Sequence, residues 1–221
     1  MSGEHFAPHE ILQVLDRHRV QYVLVGGYAA ELHGAQRPTI DIDLTPATTA
    51  ENLTRVVAAL RELQAGIRVD ALPEPLPFET SAAALADMTA LNLRTPHGDV
   101  DLTFHPSGTE GYPDLIRDAT PHQVGTVTLQ LASLADIIRS KEAAGRTKDA
   151  EALPELYRLA GRTPPDPDSA AATHEPNARL TPQERIARAR AQIEQFRSDR
   201  DQRNRVDEYR PHSPTERGPR Y

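Results

Sequence analysis

The segment Thr39 to Leu44, TIDIDL, constrains this chain more than any other. Polar and apolar residues alternate with period two. In a strand, Asp41 and Asp43 therefore leave one face while Ile40, Ile42 and Leu44 point the other way, into a core. Two adjacent carboxylates repel unless a metal ion, an arginine or a shared proton compensates them. The alternative is an exposed edge strand that carries Asp for solubility. Upstream, the apolar run Gln21 to Val25 ends in Gly26-Gly27, and Tyr28 to His33 has the pattern of a short helix. Glycine between a strand and a helix lets the backbone approach a phosphate and aim N–H groups at it, although an ordinary tight turn uses glycine in the same way. Asp101, flanked by Val100 and Leu102, offers a third carboxylate from a separate strand; Asp99 follows Gly98 and reads as part of a turn.

The remaining pattern places these segments. Helical spacing marks His9 to His18 and Glu51 to Leu63, and apolar runs mark strands at Ile67 to Leu72 and Val127 to Leu131. The proline-rich stretch Leu72 to Thr80 reads as irregular. Thr89 to Thr95 and Val100 to Phe104 flank the turn chemistry of PHGD and form a hairpin. Ser133, with Asp136 three residues on, caps a long helix in which Gly145 and Pro154 mark breaks or bends. After Gly161 proline, alanine and polar residues dominate, as in a disordered linker. The charged stretch beyond it, from Pro182, has helical propensity.

Composition excludes several classes. There is no cysteine, hence no disulfide and no thiolate chemistry. No run of about 18 apolar residues indicates a membrane helix, and the start MSGEHFAPHE lacks the layout of a signal peptide, so a cytoplasmic location without membrane contact is expected. A net charge of -7 argues against a basic nucleic-acid coat but says nothing of a local groove. Residues 165–221 hold 11 Arg against 10 acidic residues, so the tail is near neutral and is not a simple basic arm. Lys141 and Lys148 are the only lysines. With Glu142 and Arg146 they also fit a solvated helix face.

The order strand, glycine pair, short helix, R-x-T-x-D-x-D, then a later apolar-D-apolar strand resembles the polymerase-β-type nucleotidyltransferase superfamily. That family opens its core with hG[GS], places D-x-D on the next strand and takes a third carboxylate from a later one. The matching positions are Gly26-Gly27, Asp41 and Asp43, and Asp101. The fuller pattern, GGYAAELHGAQRPTIDIDL followed by LADIIRSKEAAGRTKDAEAL, is similar to the AbiEii/MenT-like toxin branch over residues 20–160. The resemblance implies an α/β (α+β) fold, a mixed β-sheet of nucleotidyltransferase type flanked by helices. The core would span 1–132 and a helical segment 133–162; composition alone, outside the resemblance, sets the linker at 163–181 and a flexible, partly helical tail at 182–221.

It also implies a chemistry: metal-dependent transfer of an NMP from an NTP to an acceptor hydroxyl, on a tRNA 3′ end or a protein, by the toxin of a toxin–antitoxin pair. Two alternatives stay open, modification of a small molecule such as an antibiotic, and a non-catalytic nucleotide- or partner-binding module. In the family pattern Asp41 and Asp43 hold Mg²⁺ or Mn²⁺, and Asp101 ligates a second ion and helps deprotonate the attacking hydroxyl. Gly26 and Gly27 donate to the β- and γ-phosphates. Lys141 reaches the triphosphate, Arg146 and Asp149 complete a K…R…D pattern, and Arg37 touches phosphate or braces Asp41. Gly27 stands where many members have Ser, so one hydroxyl contact to phosphate is missing. Tyr28 and His33 read as packing residues.

Overall fold

The computed structural model describes residues 6–69 and 72–163; the expected linker and tail lie outside the described residues, apart from Thr163. The sheet has eight strands: β1 (Tyr22–Val25), β2 (Asp41–Pro46), β3 (Gly66–Ile67), β4 (Leu76–Pro77), β5 (Ala90–Thr95), β6 (Gly98–Thr103), β7 (Thr120–Val124) and β8 (Val127–Leu131). Their order is β4-β3-β5-β6-β2-β1-β8-β7. The β2–β6 and β1–β8 pairs are parallel and the rest antiparallel. The fold is thus a mixed sheet flanked by helices, as expected, and β2 lies between β1 and β6.

Each longer helix buries one stripe. α1 (Pro8–Arg17) turns Ile11, Leu12, Val14 and Leu15 inward, and α3 (Ala50–Glu62) turns in Leu53, Val56, Val57 and Leu60. These pack with Val23, Leu24, Ile42, Leu44, Val100 and Leu102 of the central strands in one apolar core. Each fully buried side chain of this kind contributes about 1.5–3 kcal/mol. The short α2 (Gly26–Leu32) follows β1 directly, whereas α4 (Ala82–Ala86) and α5 (Tyr112–Leu115) sit in connections whose pattern gave no helical signal. Helix α6 (Leu134–Ala144) starts at the expected Ser133, whose hydroxyl accepts from the Asp136 N–H; the Asp136 carboxylate accepts from that same hydroxyl rather than from the Ser133 backbone N–H that a capping box uses. Gly145, at φ 59°, ends it, and α7 (Thr147–Leu159) runs straight through Pro154. Ala150 and Pro154 are both exposed, so the carbonyl that proline leaves unpaired is open to water.

Several expectations need correction. Ile40 is 63% exposed, not inward, because the β2 ladder begins at Asp41 and Ile40 lies in the bend before it. The strand expected at Ile67 to Leu72 is confined to Gly66–Ile67 among the described residues. The proline-rich stretch contributes β4, and β7 was not anticipated; each contains proline and each is an edge strand, where a missing N–H costs no ladder bond. Asp99 belongs to β6 and pairs opposite Arg94, while Pro96-His97 alone form the turn. The described residues include no helix long and apolar enough to cross a membrane.

Candidate active site

The glycine pair and the acidic strand are fitted to each other. Gly26 has φ +71°, and a Cβ there would lie 1.8 Å from Oδ2 of Asp43. The Asp43 carboxylate thus occupies the space of a side chain at position 26. The Gly27 N–H donates to the same Oδ2 at 3.3 Å. A Cβ on Gly27 would lie 2.9 Å from the Thr39 hydroxyl, which itself donates to Asp41. The Gly27 amide, expected to face phosphate, is therefore engaged with Asp43 here.

The parallel pairing of β2 with β6 sets Asp41 abreast of Asp99 and Asp43 abreast of Asp101. Because side chains alternate, all four carboxylates leave one face of the sheet. Burial pushes Asp43 up to about 6, and the charges of Asp41 and Asp101 add to the rise; the Gly27 N–H and Lys148 oppose it. Burial also pushes Asp101 up to about 6 against the pull of Arg68, with Asp41 and Asp99 adding. Asp99 goes the other way: burial raises it, but hydrogen bonds and charge from Arg94 and Arg68 hold it below the usual carboxylate range.

Arg68 bonds both oxygens of Asp101 from Nη2, each at 3.0 Å, and pairs with Asp99 through Nη1. Arg94 donates to Asp99 from Nε at 2.9 Å and from Nη2 at 3.3 Å. The donor set on β2 fits a hard divalent cation: partly buried carboxylate oxygens that take hydrogen bonds from a backbone N–H and a threonine hydroxyl, with the nearby charge of Lys148 offsetting only part of theirs. No three acidic or histidine side chains among the described residues converge as a ligand set, and Asp101 faces Arg68. Asp41 and Asp43 are thus a two-carboxylate site with the third held to one side.

Lys141 reaches Asp149 from α6, Nζ to Oδ1 at 3.0 Å, and Arg146 reaches it across the Gly145 turn, Nε to Oδ2 at 2.6 Å. Asp149 is fully buried; burial raises its pKa, but these two cations more than reverse that and hold it below the ordinary value. It stands behind Lys141 and Arg146 and orients them. Arg37 pairs with Glu151 at 3.1 Å and donates to the Lys148 carbonyl at 3.5 Å, so it is turned to α7 rather than to Asp41. His33 bonds the Ala132 carbonyl at 2.8 Å, and Tyr28 packs edge-on to Phe6. Sequence reasoning missed Arg68, Arg94, Asp99 and Lys148 as members of this neighbourhood. The two-residue spacing of Asp99 and Asp101 was the available signal for Asp99 and the rarity of lysine the one for Lys148, while Arg68 and Arg94 had none.

No family model and no curated protein matches the chain. Among solved structures it is similar to lincosamide antibiotic adenylyltransferase LnuA in its lincomycin-bound form, at 14% identity and a TM-score of 0.47, over 69% of this chain and 95% of that one. The solution structure of the antibiotic-resistance factor ANT(2'')-Ia is similar at 13% identity and a TM-score of 0.46, over 87% and 95% of the two chains. The same factor in complex with adenylyl-2''-tobramycin gives 15% and 0.44, over 74% and 90%.

Proposed function

We propose that the chain is a metal-dependent nucleotidyltransferase acting as the toxin of a toxin–antitoxin pair in the cytoplasm, with a tRNA 3′ end or a protein hydroxyl as acceptor. The observation that carries the reaction class is the pair Asp41 and Asp43 on one face of β2, fitted against Gly26-Gly27 and flanked by Asp101 from the neighbouring parallel strand. The toxin assignment rests on the sequence pattern that joins this site to Lys141, Arg146 and Asp149.

Asp41 and Asp43 would hold Mg²⁺ or Mn²⁺. The bound ion supplies Lewis-acid polarisation of the phosphates and neutralises charge developing on the triphosphate. Lys141, with Arg146 beside it, meets the anionic triphosphate as a preorganised cation, because Asp149 fixes both side chains before substrate arrives. Gly26 and Gly27 add no side chain of their own beside the phosphates, and the Gly27 N–H, held by Asp43 in the resting site, would turn to phosphate once an ion draws on that carboxylate. The acceptor oxygen attacks the α-phosphorus, the bond to the pyrophosphate oxygen breaks, and Asp101 takes the hydroxyl proton. Pyrophosphate leaves.

Incubation with each α-labelled NTP, Mg²⁺ and either total tRNA or a protein extract tests this reading. Label transferred to tRNA or protein, with release of pyrophosphate and loss of both in Asp43→Asn, is the expected result. Label found only on an added aminoglycoside or lincosamide replaces the acceptor with a small molecule. No transfer, together with nucleotide binding that Asp41→Ala/Asp43→Ala leaves intact, makes the chain a binding module.

A further inference from the structure

Arg68 follows the two-residue strand β3, and its own N–H donates to the Asn92 carbonyl of β5 at 2.9 Å. Asn92 pairs opposite Asp101, so this backbone bond aims the guanidinium across β5 at β6. There it makes two unequal commitments. One nitrogen is paired with Asp99, a buried carboxylate that Arg94 also neutralises. The other takes both oxygens of Asp101. With Nη1 on Asp99 and Nη2 on both oxygens of Asp101, the planar guanidinium bridges the two carboxylates, and the Asp101 oxygens it occupies are not free to ligate an ion in the same orientation.

We propose that Arg68 is a latch on the third metal carboxylate: it holds Asp101 when the site is empty of cation and cedes it when a second divalent ion arrives, while Asp99 keeps Arg68 in place. The proposal rests on the nucleotidyl-transfer reading of the site. Arg68 is a positioning residue, acting on the metal through Asp101. Asp99 gives it an anchor that does not depend on the exchange, so release of Asp101 needs only a side-chain rotation and no movement of β3 or β6. The latch sets the divalent-ion requirement, because every ion that recruits Asp101 must compete with an ion pair that takes both of its oxygens.

Calorimetric titration with Mn²⁺ alone tests this on the full chain, as wild type, Arg68→Met, Asp101→Asn and the double variant, each checked for fold by circular dichroism. Arg68→Met is expected to bind Mn²⁺ about 10-fold more tightly, the scale of one charge-assisted contact removed from the competitor. In the Asp101→Asn background the same change should give no gain. Arg68→Lys, which keeps the charge beside Asp99 but loses the second nitrogen that lets the guanidinium hold Asp99 and Asp101 together, should fall between wild type and Arg68→Met; it also carries the test if the methionine variant does not fold. Equal Mn²⁺ affinity in wild type and both Arg68 variants overturns the latch alone. A gain that persists with Asp101→Asn also overturns it, since the effect is then the general field of one lost charge. Absence of Mn²⁺ binding in every protein, wild type included, overturns the nucleotidyl-transfer reading as well.

Discussion

Strands β2 and β6 run parallel in register, and each carries aspartates two apart on the same face, yet the two pairs are treated in opposite ways. On β6, Asp99 has two arginines and Asp101 has one. On β2, Asp43 has a backbone N–H and Asp41 has a threonine hydroxyl. Neutral donors satisfy lone pairs but leave the charge in place. The acidic face is thus split into a half compensated by ion pairs, which braces the sheet, and a half that Lys148 offsets only in part, which calls for a cation. The chemistry belongs to the second.

The largest expected effect sharpens that division. Asp43→Asn should lower transfer by about 10³-fold or more, as loss of a preorganised charge at a reacting phosphate does, and should raise the melting temperature of the metal-free protein. Asp99→Asn should do the reverse, costing roughly 3 kcal/mol of stability by leaving its arginines underpaired, with a smaller effect on transfer. Paired thermal-melt and single-turnover measurements check both signs; destabilisation by both variants would break the comparison.

Gly26→Ala comes next. A Cβ at φ +71° and 1.8 Å from the Asp43 carboxylate must displace that carboxylate. Backbone strain of about 1–2 kcal/mol is expected, with Mn²⁺ affinity falling further than stability, whereas Gly161→Ala, with nothing near its Cβ position, should leave affinity unchanged. The pH dependence is subtler. Asp43 and Asp101, raised to about 6 in the folded protein from 3.8, bind protons there that the unfolded chain does not. Metal-free stability should therefore rise as pH falls from about 7 toward 4, then decline below that as the lowered carboxylates Asp99 and Asp149 become protonated, together with Asp114, which the Glu110 N–H and Arg139 hold below the ordinary value. Saturating Mg²⁺ should flatten the upper limb, which melts across pH in EDTA and in Mg²⁺ will register.

The smallest effect concerns the cation side. Asp149→Asn leaves Lys141 and Arg146 without their shared anchor, and a 10–100-fold rise in the KM for NTP is the expected scale for loss of an orienting carboxylate. Arg37→Ala removes an exposed pair with Glu151, worth under about 1 kcal/mol, and a long bond to the Lys148 carbonyl. If the two variants raise KM equally, the orienting role of Asp149 is wrong.

Residues whose role is set by local spacing were legible in the sequence. TIDIDL announced two carboxylates on one face, and Ser133 with Asp136 announced a helix start. Residues whose role is set by pairing across the sheet were not. Nothing local distinguishes Arg68 from any other arginine in a chain where nearly every basic residue is arginine. Its partners lie 31 and 33 positions away and meet it only because β3, β5 and β6 are neighbours. Asp99 was hidden by Gly98, whose turn signal is genuine but ends one residue earlier. The edge strands β4 and β7 escaped because proline argues against strands in general, and the exemption for an edge requires knowing the strand order.

The Gly27 amide has one further consequence. It is a single proton held between the helix start and the carboxylate most exposed to a change in charge, with no side chain of its own to blur the signal. In a nitrogen–proton correlation spectrum it should act as a resident gauge of the site, moving when an ion draws on Asp43 and moving again when phosphate arrives. Occupancy can then be followed residue by residue in the resting protein, before any acceptor is known.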